Sequence, residues 1–176
     1  MNPVAVEDEI VVKEFWYESK LYYIDEDEDN IYDATNLRKI GTILSGSVFI
    51  VDERLVKASD EKIECYIKAR DKWTSYAMNP KYDKALYHAF GIRALICETT
   101  IKMGQIEKLI YKSIINGKQD LNLKYKEKYL SHIQQALEYW GTLNEMGAED
   151  EGKYLMVSNN LKKDYDFIDA LTKAFV

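Results

Sequence analysis

An acidic run near the N-terminus is the one place where potential metal ligands recur at a regular spacing. Asp25, Asp27 and Asp29 occupy alternate positions, as the first three oxygen ligands of a calcium-binding EF-hand loop do. That loop also needs a glycine at its sixth position and a glutamate at its twelfth, and these positions hold Asn30 and Asn36. The flanking segments favour strands, whereas an EF-hand loop joins two helices. We therefore interpret the run as a solvated acidic turn, and weak cation binding by it stays open.

The two histidines and two cysteines are the other candidates for metal binding or nucleophilic chemistry: His88, His132, Cys65 and Cys97. Zinc sites commonly contain close pairs such as Cys-x-x-Cys, and di-iron sites in helical bundles need Glu-x-x-His on two helices. The sequence contains neither pattern, and it lacks the nucleophile-elbow, P-loop and dinucleotide-binding motifs. We therefore predict no metal and no cofactor. We expect the cysteines to be buried free thiols in a reducing compartment, and whether they lie close together stays open.

Arg93 and Glu98 lie in the apolar middle of the longest helical pattern. Buried ion pairs with side chains of other helices explain charges at such positions better than acid–base catalysis does. The prediction is therefore a protein that is not an enzyme. The enzymatic alternative would require a polar cleft among the helices around Glu98, Arg93 and His88.

The residues from Lys57 onward have helical periodicity, and the longest pattern runs from Tyr82 to Asn116. Pro80 suits the start of a helix, and Asn116-Gly117 offers the left-handed conformation that commonly ends one. Three more helices are predicted: from a cap at Ser59 or Asp60 to about Met78, from about Leu123 to Met146, and from about Glu151 to the C-terminus. The short connections favour an antiparallel bundle of four helices.

The first 56 residues are strand-like, because β-branched and aromatic residues cluster between turn-forming residues. The predicted strands are Ile10 to Tyr17, Leu21 to Asp25, Asn30 to Asp33, Ile40 to Leu44 and Val48 to Val51. A meander of three to five short strands is marginally stable alone, so we expect it to pack on the helices. The predicted fold class is α+β, with a small antiparallel β-meander over residues 1–56 packed on a four-helix bundle over residues 57–176.

Charge is unevenly distributed along the chain, whose net charge is −6. Residues 1–56 contain 13 acidic and 5 basic side chains, whereas the remaining residues contain 17 acidic and 19 basic ones. An acidic N-terminal part is unsuited to the phosphate backbone of nucleic acids and suits a basic protein partner.

The most apolar stretch, Ala85 to Ile101, does not fit a transmembrane helix, because it is short and contains His88, Arg93 and Glu98. The first eight residues are acidic and lack the apolar core of a signal peptide. We therefore expect an intracellular, cytoplasmic protein that does not insert into membranes.

Aromatic residues in the meander follow the strand order of a small peptide-binding domain. Trp16 is followed by a strand with Tyr22 and Tyr23, and then by a strand with Tyr32. This pattern resembles a WW-type domain, in which aromatic residues on the second and third strands form a groove for polyproline ligands. The resemblance implies that Trp16, Tyr22, Tyr23 and Tyr32 bind a proline-rich or basic peptide. The alternative is a structural meander whose aromatic side chains pack inward.

The stretch YYIDEDEDNIYDATNLRKIG, from Tyr22 to Gly41, also resembles a short aromatic and acidic module in proteins of giant nucleocytoplasmic DNA viruses. The matching residues are Tyr23, Asp25, Ile31, Tyr32, Asp33, Ile40 and Gly41. The resemblance implies a viral origin, and its most concrete version is a minor capsid or virion component.

Fourteen tyrosines and three tryptophans exceed what a bundle of this size needs for its core. Tyrosine is frequent at interfaces, because its ring is apolar and its hydroxyl is polar. We expect exposed tyrosines beside the helical stripes, among Tyr76, Tyr82, Tyr87, Tyr111, Tyr125 and Tyr139. The predicted function is a non-enzymatic structural or scaffolding subunit that contacts other protein subunits in a hetero- or homo-oligomer. A peptide-binding adaptor and an enzyme with a site among the helices are the alternatives.

Overall fold

The computed structural model describes residues 11–25, 29–118, 120 and 122–175. Among these residues the chain forms five strands followed by four helices, and it divides into two compact units, residues 1–51 and 52–176. The strands are β1 (Val12–Tyr17), β2 (Lys20–Asp25), β3 (Asn30–Asp33), β4 (Lys39–Leu44) and β5 (Ser47–Ile50). The helices are α1 (Glu53–Ala77), α2 (Lys84–Ile115), α3 (Asn122–Glu145) and α4 (Glu151–Ala174). The predicted α+β class, with an antiparallel meander before a helical bundle, is confirmed.

The strands of the sheet lie side by side in chain order, and every neighbouring pair is antiparallel. Two hairpins close through two-residue turns, Glu18-Ser19 and Ser45-Gly46, whose φ angles are all positive, from 48° to 78°. Two consecutive residues with positive φ define the type I′ turn, whose twist matches that of the flanking strands. The first of these turns places Tyr17 opposite Lys20 and so sets the register of β1 on β2.

One face of the sheet forms an apolar core. Its buried residues are Tyr22, Ile31, Ile40 and Ile50, and Phe15, Tyr17, Ile24, Ile43 and Val48 pack against them. Glycine is required at position 41, because a Cβ there would lie 2.9 Å from the carbonyl oxygen of Phe49 and 3.0 Å from Cβ of Ile31. In β1, β2 and β3 the side chains alternate between the two faces, so the intervening residues point away from this core. In β4 a register shift at Ile40 interrupts the alternation.

Helix α1 begins earlier than its sequence pattern predicts. Its first residue is Glu53, and the Asp52 side chain caps it by accepting a hydrogen bond from the backbone N–H of Arg54. The predicted cap at Ser59 or Asp60 is wrong, because both residues lie inside the helix. The aspartate satisfies one of the free backbone donors of the first turn, and this places the start of the helix at Glu53.

Helix α2 runs without interruption over 32 residues and contains more buried residues than any other helix. Asp83 caps its start, and Gly117, with a φ of 67°, follows its last turn. The predicted stop at Asn116-Gly117 is therefore confirmed. Gly104 lets α1 approach closely, because a Cβ at this position would lie 3.0 Å from Cγ1 of Ile63.

Helices α3 and α4 begin and end within one or two residues of their predicted bounds. Gly147, with a φ of 75°, follows α3, and the Asp150 side chain caps α4 by accepting from the N–H of Lys153 at 2.7 Å. Leu143 of α3 is fully buried and packs with residues of α2, whereas Ile168 and Leu171 are the fully buried residues of α4. Within the described ranges, no helix has the length and hydropathy that a membrane span requires.

Candidate functional site

Four large side chains of β1, β2 and β3 lie on the face of the sheet opposite its core. They are Trp16, Leu21, Tyr23 and Tyr32, here called the aromatic band. The register places Trp16 of β1 opposite Leu21 of β2, and Tyr23 of β2 opposite Tyr32 of β3. Directly opposite residues share a face, and so do residues two apart on one strand. Because Leu21 and Tyr23 are two apart, the four positions form a continuous band across three strands.

Trp16 is the most accessible member of the aromatic band. Its exposed fraction is 65%, whereas Leu21, Tyr23 and Tyr32 are half-buried. A tryptophan that stays exposed on a regular strand keeps a large apolar area in water. Tryptophan is also among the residues in which protein interfaces concentrate their binding energy. Trp16 is therefore the anchor of the candidate site.

Tyr22 lies outside the aromatic band. It is 3% exposed and belongs to the sheet core with Ile31, and the ammonium of Lys20 lies 5.2 Å from the centre of its ring. Adjacent residues of a strand point to opposite faces, so Tyr22 and Tyr23 cannot both lie beside Trp16. This corrects the predicted grouping of Tyr22 with the other three aromatic residues. Partner binding by Trp16, Tyr23 and Tyr32 stays a prediction.

The aromatic band lies on an acidic unit. Residues 1–51 contain 11 acidic and 4 basic side chains, and Glu14 and Glu18 of the first hairpin are exposed. Glu14 is two residues from Trp16 on β1 and lies opposite Tyr23, so its carboxylate is on the face of the band. A basic group that approaches Trp16 therefore meets negative charge nearby.

The acidic turn that suggested a calcium site lies partly outside the described residues, because residues 26–28, which include Asp27, are not among them. The two ends of the turn, Asp25 and Asn30, are buried and face each other across β2 and β3. In the described part of the chain, no group of three or more histidine, cysteine, aspartate or glutamate side chains is arranged to hold a metal ion. Weak cation binding by the whole turn stays open.

Arg93 and Glu98 each form an ion pair with a separate partner. The guanidinium of Arg70 in α1 lies 2.6 Å from the Glu98 carboxylate, and that of Arg93 lies 2.9 Å from the Glu149 carboxylate, beyond the end of α3. The Arg93 guanidinium also lies 5.3 Å from the ring centre of Trp73. The predicted ion pair with another helix is thus present for Glu98, whereas Arg93 pairs with a residue of the loop after α3. All four side chains are half-buried and not fully buried.

The histidines and cysteines are spread over three helices. His88 is exposed on α2, and His132 is half-buried on α3, where burial and two nearby lysines lower the pKa of its imidazole. Cys97 is buried as expected, and this burial raises the pKa of its thiol. Cys65 is exposed, which corrects the expectation of two buried thiols.

None of the fourteen tyrosines is exposed: all lie among the described residues, and each is buried or half-buried. This corrects the expectation of an accessible tyrosine surface on the helices. Tyr76 and Tyr82 show the physical reason, because both rings pack with Phe90 and with each other at centre distances of 5.3 to 5.9 Å. The Tyr76 ring also packs with Trp73, at 5.7 Å. An aromatic side chain beside an apolar stripe is long enough to lie over the neighbouring helix.

Leucine and methionine are the large apolar side chains that the helical unit leaves exposed: Met78, Leu86, Leu95, Leu109, Leu123, Met146, Leu155 and Met156. Some of them border a groove of about 280 Å³ between α1 and α2, which Met78, Gly91 and Leu95 help to line. The sequence offered one signal for this exposure. Leu95 and Leu109 lie fourteen positions apart, which is close to four helical turns, so they share a face.

Comparison with known proteins does not assign a function to this chain. No family model matches the chain, and no curated protein or solved structure matches it. What the geometry defines is an α+β protein with an aromatic band on an acidic sheet. Its function therefore has to be argued from that surface.

Proposed function

We propose that this protein is a non-enzymatic structural subunit of a larger assembly and that it contacts another protein through the aromatic band. The observation that carries the proposal is the 65% exposure of Trp16, in register with three further large side chains on the same face. Burying such a side chain under a partner removes its apolar area from water. Covering Trp16 is therefore favourable for binding, because folding alone leaves this apolar surface exposed to water.

The band has the composition of a binding surface. Its members combine aromatic and aliphatic side chains, and the polar tips of Tyr23 and Tyr32 can hydrogen-bond while their rings are covered. Trp16 lies at the β1 end of the band, and the half-buried Leu21 directly beside it can help to exclude water once a partner covers the indole ring. These features support a protein partner for this face of the sheet.

Charge supports a basic partner over a proline-rich one. The unit that carries the band has 11 acidic and 4 basic side chains, and Glu14 lies on the band's own face. Complementary charge speeds association and selects among partners. We therefore propose that the contacting segment of the partner is rich in lysine or arginine.

The resemblance of residues 22–41 to a module of giant nucleocytoplasmic DNA viruses supports a more specific version of the proposal. In that version the assembly is a virion, and this chain is a minor capsid or virion component. Intact virions should then contain the protein in a fixed ratio to their major subunits. Quantitative mass spectrometry of purified particles tests this version separately.

The direct test removes the anchor and measures the assembly. Complexes of the wild-type chain, Trp16→Ala and Leu37→Ala are isolated from the native source, and their intact masses are measured. Leu37 is a matched control, because it is 63% exposed in the same unit but lies outside the aromatic band. We expect Trp16→Ala to lose the partner and Leu37→Ala to retain it. Recovery of the wild-type chain as a free monomer, or an unchanged complex of Trp16→Ala, would contradict the proposal.

A further inference from the structure

Strand β1 lies at an edge of the sheet. The strand order is β1 to β5, so among the described residues no strand lies on the outer side of β1 or of β5. The edge of a sheet presents backbone N–H and C=O groups to which another extended chain can bond. The two edges differ in accessibility, because β1 contains the exposed residues Lys13, Glu14 and Trp16, whereas β5 has only four residues and ends in the buried Ile50.

The turn between β1 and β2 determines which backbone groups of β1 face outward. Tyr17 and Lys20 flank a two-residue turn, and in such a hairpin the flanking residues exchange hydrogen bonds with each other. Hydrogen-bonded and non-hydrogen-bonded positions then alternate along the strand. Tyr17 therefore bonds to β2, whereas the N–H and C=O groups of Trp16, Glu14 and Val12 point away from β2.

The outward backbone groups coincide with the side chains of the candidate site. Trp16 and Glu14 are both exposed, and both lie on the face of the aromatic band. A strand added beside β1 would place one of its side chains directly opposite Glu14 and another opposite Trp16. A lysine or arginine suits both positions, since it pairs with a carboxylate and can also lie over an indole ring.

We propose that the partner's segment binds by strand addition: a basic, extended stretch of another protein pairs with β1 as a sixth strand. Its main chain bonds to the outward groups of Val12, Glu14 and Trp16, and its basic side chains lie against Glu14 and Trp16. The inference rests on the proposed function for the class of partner and adds the mode of binding. A second copy of this chain suits the edge less well, because pairing two β1 strands around Glu14 places two carboxylates directly opposite.

The experiment uses the full chain and a defined probe, a capped eight-residue peptide of alternating lysine and valine. Amide hydrogen exchange is followed by NMR with and without the peptide. We expect the peptide to slow exchange at Val12, Glu14 and Trp16, whereas Lys13, Phe15 and Tyr17 are protected in both states because they bond to β2. The matched probe of alternating glutamate and valine should leave all six amides unchanged.

Two variants of Glu14 separate the contribution of backbone pairing to peptide binding from the contribution of charge. Glu14→Ala removes the carboxylate and keeps the N–H, so peptide binding should weaken by a few fold and lose part of its salt dependence. Glu14→Pro also removes the outward N–H, which an edge strand tolerates because that group is not part of the ladder. We expect it to weaken binding by about tenfold more than Glu14→Ala. Unaltered dispersion of the other amide signals shows that the sheet remains folded.

The outcomes distinguish this inference from the proposed function. Perturbation of the Trp16 side chain by the peptide without slower exchange at the three outward amides would overturn strand addition and leave a contact on the band's face. Protection of those amides that rises with protein concentration in the absence of peptide would also overturn it, because the occupant would then be a second copy. Absence of any response to the basic peptide would overturn strand addition as well. The proposed function would then still be tested separately, by the intact mass of the complexes that Trp16→Ala forms.

Discussion

Tyr22 and Tyr23 are neighbours in the sheet unit, yet one lies in the core and the other on the opposite face with Trp16. In the helical unit, Tyr76 and Tyr82 lie outside the main apolar pattern, yet their rings pack with Phe90. A strand has two faces, and a single apolar layer covers only one of them. A helix surrounded by neighbours can lay a long aromatic side chain on whichever helix is adjacent. The sheet therefore leaves a tryptophan exposed, whereas the exposed large apolar side chains of the helices, within the described part of the chain, are leucine and methionine.

The largest expected effect tests the two faces of the sheet. Tyr22→Ala should lower the free energy of unfolding by about 3 to 5 kcal/mol, because it empties a buried aromatic position. Tyr23→Ala removes a half-buried ring and its pairing with Tyr32, so the loss should be about 1 kcal/mol. Urea denaturation of both variants measures the difference. Equal losses of unfolding free energy in the two variants would show that Tyr22 and Tyr23 are buried to the same extent.

The second prediction makes the same comparison in the helical unit. Leu143→Ala should lower the free energy of unfolding by about 2 to 5 kcal/mol, since Leu143 is fully buried. Leu95 is 46% exposed, so Leu95→Ala should change stability by less than about 0.5 kcal/mol. Thermal and urea unfolding of this pair give the two values. A large loss for Leu95→Ala would mean that the α1–α2 groove is closed in solution.

The third prediction compares a glycine of the sheet unit with a glycine of the helical unit. Gly41→Ala should destabilise the sheet by about 1 to 3 kcal/mol, because its new methyl group would meet the carbonyl oxygen of Phe49 at 2.9 Å. Gly91 lies inside α2, and a methyl group added there would meet no heavy atom within 4 Å beyond the backbone of its own helix. Gly91→Ala should therefore stabilise the protein by about 0.5 to 1 kcal/mol. Opposite signs of the two changes in unfolding free energy are the expected result, and a stabilising Gly41→Ala would contradict the packing of β4.

The smallest effect concerns charge in the helical unit. The pKa of His132 lies below its ordinary value of 6.5 because the imidazole is partly buried, so the unfolded chain binds this proton more tightly than the folded one. Stability that is present above pH 6.5 should therefore decrease as the pH falls through the folded-state pKa. His132→Gln should flatten the dependence of the melting temperature on pH in this range. His88→Gln is the control for the substitution itself, because it replaces an exposed histidine on α2.

Much of the fold could be predicted from local patterns. The strand Asn30–Asp33 has the predicted bounds, and β2, β4 and β5 differ from theirs by one residue at one or both ends. The predicted start of β1 at Ile10 lies outside the described residues. Gly117 and Gly147 end helices as predicted, because a residue with positive φ is needed there and glycine adopts it without steric cost. The start of α1 was missed, because Ser59 is as good a capping residue as Asp52 when only side-chain type is considered.

The candidate site could be predicted only in part. Trp16, Tyr23 and Tyr32 share a face, but Tyr22 does not, and the exposure of Cys65 was also unexpected. Whether Tyr22 or Tyr23 is buried depends on which face of the sheet is covered. Adjacent residues of equal hydrophobicity contain no information about that choice.

The sequence by itself determined where the chain turns, where its helices end, and that acidic charge gathers on the N-terminal unit, because these properties depend on residue types within a few positions of each other. Only the tertiary structure decided which aromatic rings are covered and which arginine pairs with Glu98. Burial and ion pairing depend on side chains that arrive from distant parts of the chain, such as Arg70, which lies 28 residues before Glu98. The exposed Trp16 on an edge strand is therefore a property of the folded sheet, even though each residue that creates it was visible in the sequence.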